Sequence, residues 1–313
     1  LSGSRVVAFG HHQPERVLSN ADLEQMVDTN DAWILQRTGI ATRRIADDES
    51  VADMAAAAAA KALAASGVPA GEIGQVIVAT CSAIDRSPST AAQVAARLGI
   101  PAAVVFDLNN ACAGFCTALA TADHTIRAGA AKHALVIGAE KMSDLVDWTD
   151  RSSCILLGDG AGAAVISASD DAAVGPVVWG SDPTRSNAVR LVDEWQPKFA
   201  QEGQAVFRWA TSELPAIAAQ ACERAGIATT DLAAVVTHQA NLRIIEALTR
   251  KLSLRDDVVI AKDVVVSGNT SAASVPLALS KMAERGELPS GAPVLLFAFG
   301  GGLSWAGQVV TAP

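Results

Sequence analysis

The sequence predicts an α/β protein of two pseudo-symmetric, duplicated halves, each a largely parallel sheet covered by helices. Three observations predict it. Half of the 313 residues are hydrophobic, enough to bury a large core. Short apolar runs alternate with longer helical stretches, as in strands joined by helical crossovers. The chain also repeats itself. SGVPAGEIGQVIV (66–78) returns as AGIATTDLAAVVT (225–237), an offset of 159 residues. The same offset carries Leu135–Ile137 onto Val294–Leu296, both short apolar runs that read as buried strands.

Each half follows one order. A helix over 51–66 is Ala-rich, a favourable composition, and stops at Gly67, where a left-handed residue is needed. Its counterpart over 212–225 stops at Gly226. Strands follow at Val76–Thr80 and Val235–Thr237, then at Val104–Leu108 and Val264–Val266. Helices over 113–128 and 270–285 lead to strands over 134–139 and 294–299. The halves divide as 1–170 and 171–313. The stretch 181–204, with Pro183 and Pro197, reads as a surface excursion.

Charge and cysteine usage narrow the function. A net charge of -9 argues against nucleic acid, which attracts basic surfaces. No apolar run reaches the roughly 18–20 residues of a membrane span. The opening LSGSRVVAFG has no basic region before an apolar block, so no signal peptide is expected. Five scattered cysteines suit reduced thiols and a cytoplasmic location. No histidine pair has metal-ligand spacing with a third ligand nearby, so no metal is expected.

Three polar residues lie where strands give way to helices, the end of an open α/β sheet where sites gather. Cys112 opens an apolar helix after the strand Val104–Leu108. Only about 3% of a free thiol is thiolate at pH 7, and a helix N-terminus would raise that fraction. Its N–H groups could also hold an oxyanion. Cys81, Cys116, Cys154 and Cys222 read as buried thiols. His238 directly follows the repeated strand, and Asn269 falls within two residues of the counterpart of Cys112. Taken singly, His238 could be a satisfied strand-end histidine and Asn269 a helix cap. Taken together, the duplication brings a thiol, an imidazole and a carboxamide toward one place. A run of three glycines, Gly300 to Gly302, follows a buried strand and permits close backbone approach. No Gly-Lys-Ser/Thr follows it, so it is not a phosphate loop. GDGAG (158–162) lacks dinucleotide spacing, and Ser304 lacks a hydrolase elbow.

These residues, with DAWILQRTGI (31–40), ACAGF (111–115), GDGAGAA (158–164), HQAN (238–241), GNTSAAS (268–274) and FGGG (299–302), resemble the β-ketoacyl-[acyl-carrier-protein] synthase III family of the thiolase superfamily. The resemblance covers almost the whole chain. It implies a thiolase-like five-layer αβαβα fold and a homodimer. It implies that Cys112 is the nucleophile, that His238 and Asn269 support decarboxylation, and that backbone N–H groups of Cys112 and Gly301 form the oxyanion hole. Trp33, Arg37, Arg151, Phe207 and Asn241 would hold coenzyme A, with Trp33 stacking and the arginines pairing with phosphates. Arg208, Arg243 and Arg250 would meet an acyl carrier protein. Arg243 and Arg250, seven apart on one predicted helix, share a face. No resident cofactor is implied: the coenzyme A thioester is a substrate, and malonyl-acyl carrier protein the second.

The chain departs from the family at Asn110, where relatives often carry a small residue, at DRSPST (85–90), and over 181–204. These departures leave primer choice open. A polyketide-priming ketosynthase, a non-decarboxylating acyltransferase and a non-catalytic acyl-CoA or carrier-binding protein stand as alternatives.

Overall fold

A computed structural model describes residues 3–193 and 195–313. The first half opens with β1 (Gly3–His12), β2 (Val17–Ser19), α1 (Asn20–Glu24), α2 (Asp31–Thr38) and β3 (Thr42–Arg44). It continues with α3 (Val51–Ser66), β4 (Ile73–Ala79), α4 (Thr90–Leu98), β5 (Val104–Leu108), α5 (Gly114–Arg127), β6 (His133–Lys141) and β7 (Asp159–Ser169). The second half runs β8 (Val178–Ser181), β9 (Val189–Val192), β10 (Lys198–Gln201), α6 (Gly203–Ser212), α7 (Leu214–Ala225), β11 (Ala234–Thr237) and α8 (Leu242–Thr249). It ends with β12 (Val259–Ile260), α9 (Val264–Ser267), α10 (Ser274–Glu284), β13 (Pro293–Gly300) and β14 (Ser304–Thr311).

Local chemistry sets the helix ends. The Ser50 hydroxyl accepts from the Asp53 N–H, and the Asp53 carboxylate accepts from the Ser50 N–H, closing a capping box on α3. Gly67 and Gly226 end α3 and α7 at φ 67° and 68°, the left-handed region predicted for both.

The two five-stranded sheets run in the orders β1-β7-β6-β4-β5 and β12-β11-β13-β14-β8. Reversing the second list superposes it on the first, strand for strand. In each, three neighbouring strands ending at one edge are parallel (β6, β4, β5 and β13, β11, β12), and the remaining two are joined by antiparallel pairing. In β4, Val76 and Val78 pack toward α3, while Ile77 and Ala79 face α5. That alternation makes the strand apolar on both faces, as a covered parallel sheet requires. Helices α5 and α10 lie between the sheets, with Leu119, Ile126, Leu279 and Met282 in one shared core. Helices α3 and α4 cover the first sheet outside, and α6, α7 and α8 the second. The result is five layers in the thiolase-like αβαβα order.

One predicted strand is a helix. Val264–Val266 belongs to α9, and the strand beside β11 is β12, a few residues earlier. Three consecutive valines have high β propensity, but tertiary context overrides it. The Gln239 side chain accepts the Val264 N–H at 3.0 Å, tying this helix start to the loop after β11.

The repeat also slips by one residue. Strands β4 and β11 keep the 159 offset, but the 3-10 turns Ala111–Ala113 and Ser271–Ala273, the helices after them and the strands β6 and β13 are 160 apart, so Leu135–Ile137 matches Leu295–Phe297 and not Val294–Leu296. The counterpart of Cys112 is therefore Ala272, and that of Asn269 is Asn109. Both asparagines accept the N–H two residues ahead, at 3.1 Å from Ala111 and 2.8 Å from Ser271. Ala111 and Ser271 both take positive φ, 45° and 49°.

Candidate active site

Cys112 sits on the 3-10 turn between β5 and α5. His238 follows β11, and its N–H donates to Phe297 O at 2.8 Å. Asn269 lies between α9 and the second 3-10 turn. All three line one chamber of about 40 Å³, with Leu156, Val189, Phe199, Val206, Phe299 and Gly300 among its walls.

The Asn269 backbone is pinned to the opposite half: its N–H donates to Leu156 O at 2.8 Å, and its carbonyl accepts from the Gly158 N–H at 3.0 Å. The Ser271 N–H occupies its Oδ1, which turns the Nδ2 donors away from that bond. His238 is buried at 2% exposure, with its ring edge-on to Phe299 at 5.4 Å between centroids. Burial pushes its pKa down to about 3, so the ring is neutral at physiological pH.

Cys112 departs from expectation. Helix α5 begins only at Gly114, and no side chain caps the turn that carries the thiol. Burial pushes that thiol up to about 11, with the Glu140 carboxylate adding to the rise and the Ser271 hydroxyl opposing it. The Ser271 hydroxyl donates to the sulfur at 3.5 Å. Desolvation outweighs the helix end here, so Cys112 rests as a thiol. Cys81 departs too. It lies beside polar groups, 3.3 Å from Glu140 Oε1 and 3.7 Å from Ser271 Oγ, instead of in apolar core.

The duplication explains what surrounds the Cys112 N–H. Gly300 faces it closely: a Cβ on Gly300 would stand 2.7 Å from Cys112 Cβ, 2.9 Å from its sulfur and 3.1 Å from its nitrogen. The counterpart of Gly300 in the first half is Glu140, fully buried at the end of β6. Its carboxylate accepts the Ala272 N–H at 3.4 Å, on the turn equivalent to that of Cys112. It also takes the N–H groups of Cys81 and Ser82, the Thr80 and Ser82 hydroxyls and the Cys81 thiol. One half thus places a negative oxygen on this turn's N–H. The other, by having glycine, leaves that space for a bound group. Gly301 lies one residue beyond the chamber wall, against Ala111 and Val189.

A larger cavity of about 730 Å³ adjoins the chamber, sharing Leu156, Phe199, Gln201, Val206, Asn241 and Ile244 with it. Trp33, Arg37, Phe207, Arg208 and Arg243 stand on its wall. The Arg37 and Arg151 guanidiniums lie 4.6 and 5.1 Å from the Trp33 ring centroid. Arg151 also donates to Asp28 O at 2.9 Å. The Asn241 Oδ1 caps α8 by accepting from the Ile244 N–H at 2.9 Å. Arg243 lies over Phe207 at 5.4 Å, and Arg208, Arg243 and Arg250 are exposed.

Two family models match the chain: 3-oxoacyl-[acyl-carrier-protein] synthase III over residues 106–183, and the C-terminal model of the same name over 222–312. A β-ketoacyl-[acyl-carrier-protein] synthase III of Streptomyces coelicolor is 62% identical over 99% of both chains. One of Streptomyces avermitilis is 59% identical over the full length of each. The chain belongs to the 3-oxoacyl-[acyl-carrier-protein] synthase III family. Its chemistry is that of a decarboxylating, condensing acyltransferase. Among solved structures, a priming β-ketosynthase of a polyketide biosynthetic pathway superposes with a TM-score of 0.97 at 41% identity, covering 99% and 96% of the two chains. The synthase III of Aquifex aeolicus gives 0.94 at 38%, covering 99% and 100%.

Within this synthase III fold, sequence reasoning missed part of the wall. Val189, Phe199 and Gln201 come from the β9–β10 hairpin, inside the stretch read as a surface excursion. Its polar, proline-bearing sequence gave no sign that alternate residues turn inward. Ser271, Ser274 and Glu140 were also missed. The 159 offset from Cys112 to Ser271 was the one signal for Ser271.

Proposed function

We propose that this synthase III joins an acyl-CoA primer to malonyl-acyl carrier protein in a two-stage Claisen condensation, the opening step of fatty acid synthesis. One observation carries the reading: a thiol, a neutral imidazole and a held carboxamide share one chamber at the inner end of a cavity lined by Trp33 and Arg37. In the first stage the Cys112 sulfur attacks the primer carbonyl. The C–S bond to coenzyme A breaks, and the thiol proton leaves with the departing thiolate. N–H groups of Cys112 and Gly301 hold the tetrahedral oxyanion. Covalent catalysis divides one difficult exchange into two easier ones.

In the second stage the malonyl C–C bond breaks and carbon dioxide leaves. The electron pair passes into an enolate, whose oxygen accepts hydrogen bonds from the His238 Nε2–H and the Asn269 amide. The enolate carbon attacks the acyl-Cys112 carbonyl, the C–S bond breaks, the released Cys112 thiolate takes a proton from water, and 3-oxoacyl-carrier protein departs. Trp33, Arg37, Arg151, Phe207 and Asn241 hold coenzyme A, which is substrate and not resident cofactor. The exposed Arg208, Arg243 and Arg250 receive the acidic carrier protein.

Two identical chains form the working unit. The supporting feature is β5, an outer strand with Val104 at 53% exposure, beside a loop whose Ile84 is 80% exposed. The corresponding edge strand of the second half, β12, is only two residues long. Five free cysteines support a reducing, cytoplasmic setting.

The test is intact-mass analysis after incubation with a panel of acyl-CoAs, followed by malonyl-carrier protein. One acyl group should appear on the native chain and none on Cys112→Ala. Asn269→Ala should acylate yet lose decarboxylation, because one donor of this kind is worth about 2.7–4 kcal/mol. Condensation by purified Cys112→Ala would overturn the assignment. The same panel reports the primer range; a second reading, favoured by the polyketide likeness, is that the primer feeds a polyketide chain.

A further inference from the structure

The condensation just proposed needs a hydrogen-bond donor on the chamber side of His238. A neutral imidazole has one N–H and one bare nitrogen, so the tautomer decides whether that donor exists. His238 Nδ1 lies 2.8 Å from the Ser274 hydroxyl, on the first turn of α10. The same hydroxyl lies 3.2 Å from the backbone nitrogen of Gln239. No other partner of Ser274 Oγ, and none of His238 Nε2, occurs among the described residues. His238, Gln239 and Ser274 are each at most 2% exposed, so the contact is shielded from bulk solvent.

We infer that Ser274 is a positioning residue, whose hydroxyl locks neutral His238 in the tautomer that carries its proton on Nε2. A backbone N–H can only donate, so the Gln239 N–H takes a lone pair of Ser274 Oγ. If Nδ1 carried the ring proton, Ser274 would accept twice and its own buried proton would face no acceptor. Burying an unpaired polar proton is unfavourable. If instead the hydroxyl donates to Nδ1, all three groups are satisfied and the ring proton must sit on Nε2.

The direction of the Gln239 N–H is itself fixed. The Gln239 side chain donates to Thr237 O at 2.9 Å and to Ala261 O at 3.2 Å, and accepts from the Val264 N–H at 3.0 Å. Those three bonds clamp the residue that reads out on Ser274. The lock therefore spans β11, the loop before α9, and α10. Burial keeps the ring neutral, so the tautomer persists through the physiological range.

The inference rests on the proposed role of His238, and the experiment separates the two. The protein is labelled with 15N in histidine, and the His238 ring is assigned by subtracting the spectrum of His238→Asn. Native protein should show His238 as an Nε2–H tautomer. In Ser274→Ala the ring should gain an Nδ1–H population. Decarboxylation of malonyl-carrier protein should fall about 10- to 100-fold, far less than the 10⁴ loss when a triad histidine is fixed in the wrong tautomer. Acylation of Cys112 should change much less, and Ser274→Thr should restore both tautomer and decarboxylation. An Nδ1–H signal in native protein overturns the lock without any variant. An unchanged tautomer in Ser274→Ala overturns it whatever the rate. A changed tautomer with undiminished condensation leaves the lock standing and removes the catalytic role of His238.

Discussion

Cys112 is held as a thiol by its own burial, and this has a measurable consequence. Below its pKa each unit of pH raises the thiolate fraction tenfold, and the thiolate is the species that reacts. With the thiol pushed up to about 11, alkylation of the free protein by iodoacetamide should climb steadily from pH 7 to pH 10. A plateau near neutrality would mean that the helix end wins over desolvation. His238 gives a prediction of opposite kind. Its folded pKa is about 3 against 6.5 for an unperturbed ring. Between those values the unfolded chain binds a proton that the folded ring refuses. Its contribution to stability is complete above about pH 6.5 and is lost as pH falls toward 3, by about 1.4 kcal/mol per unit at full slope. Denaturant unfolding between pH 6 and 4 should therefore lose stability less steeply in His238→Asn, by close to one proton. Equal slopes would place the ring in a wetter setting than the structure gives it.

At the scale of elements, short segments with unremarkable sequences build the site. The β9–β10 hairpin has two four-residue strands and exposes Leu191 and Val192, yet Val189 and Phe199 close the chamber over Cys112. Val189, Phe199 and Gln201 share one face of the hairpin and line the chamber, while Val192 on the other face meets solvent. Phe199→Ala should open that wall. Labelling of Cys112 by a bulky maleimide should accelerate severalfold, while labelling by small iodoacetamide changes little. Equal effects on both reagents would show that Phe199 does not gate the passage. The same scale explains the misread α9. Its valines favour a strand in isolation, but Lys281 pairs with Asp263 at 2.8 Å and Gln239 accepts the Val264 N–H, and these bonds suit a helical turn.

At the scale of the molecule, duplication does the organising. Each half alone has a helix-capped sheet with one exposed inner face. Packing α5 and α10 between the sheets buries both and brings the loops after β5, β11 and α9 together. The β5 edge then carries the prediction for the assembly. Val104→Asp, which adds charge to an exposed strand edge, should shift sedimentation from dimer to monomer at micromolar concentration. Native protein sedimenting as a monomer would defeat the proposal outright.

The amino-acid order by itself determined the two-fold plan, the helix stops at Gly67 and Gly226, and the candidacy of Cys112, His238 and Asn269. These rest on local signals: hydrophobic period, a residue that tolerates positive φ, and reactive side chains at strand ends. Only the tertiary structure decided the rest. The one-residue slip that pairs Cys112 with Ala272 depends on loop paths between strands, which leave no periodic trace. The protonation of Cys112 and His238 depends on what excludes water from them, and those groups come from both halves. Glu140 and Ser271 matter through contacts across the interface between halves, and Ser274 through a contact with His238, 36 residues away in the chain. Such contacts are set by three-dimensional closure and not by neighbours in the chain.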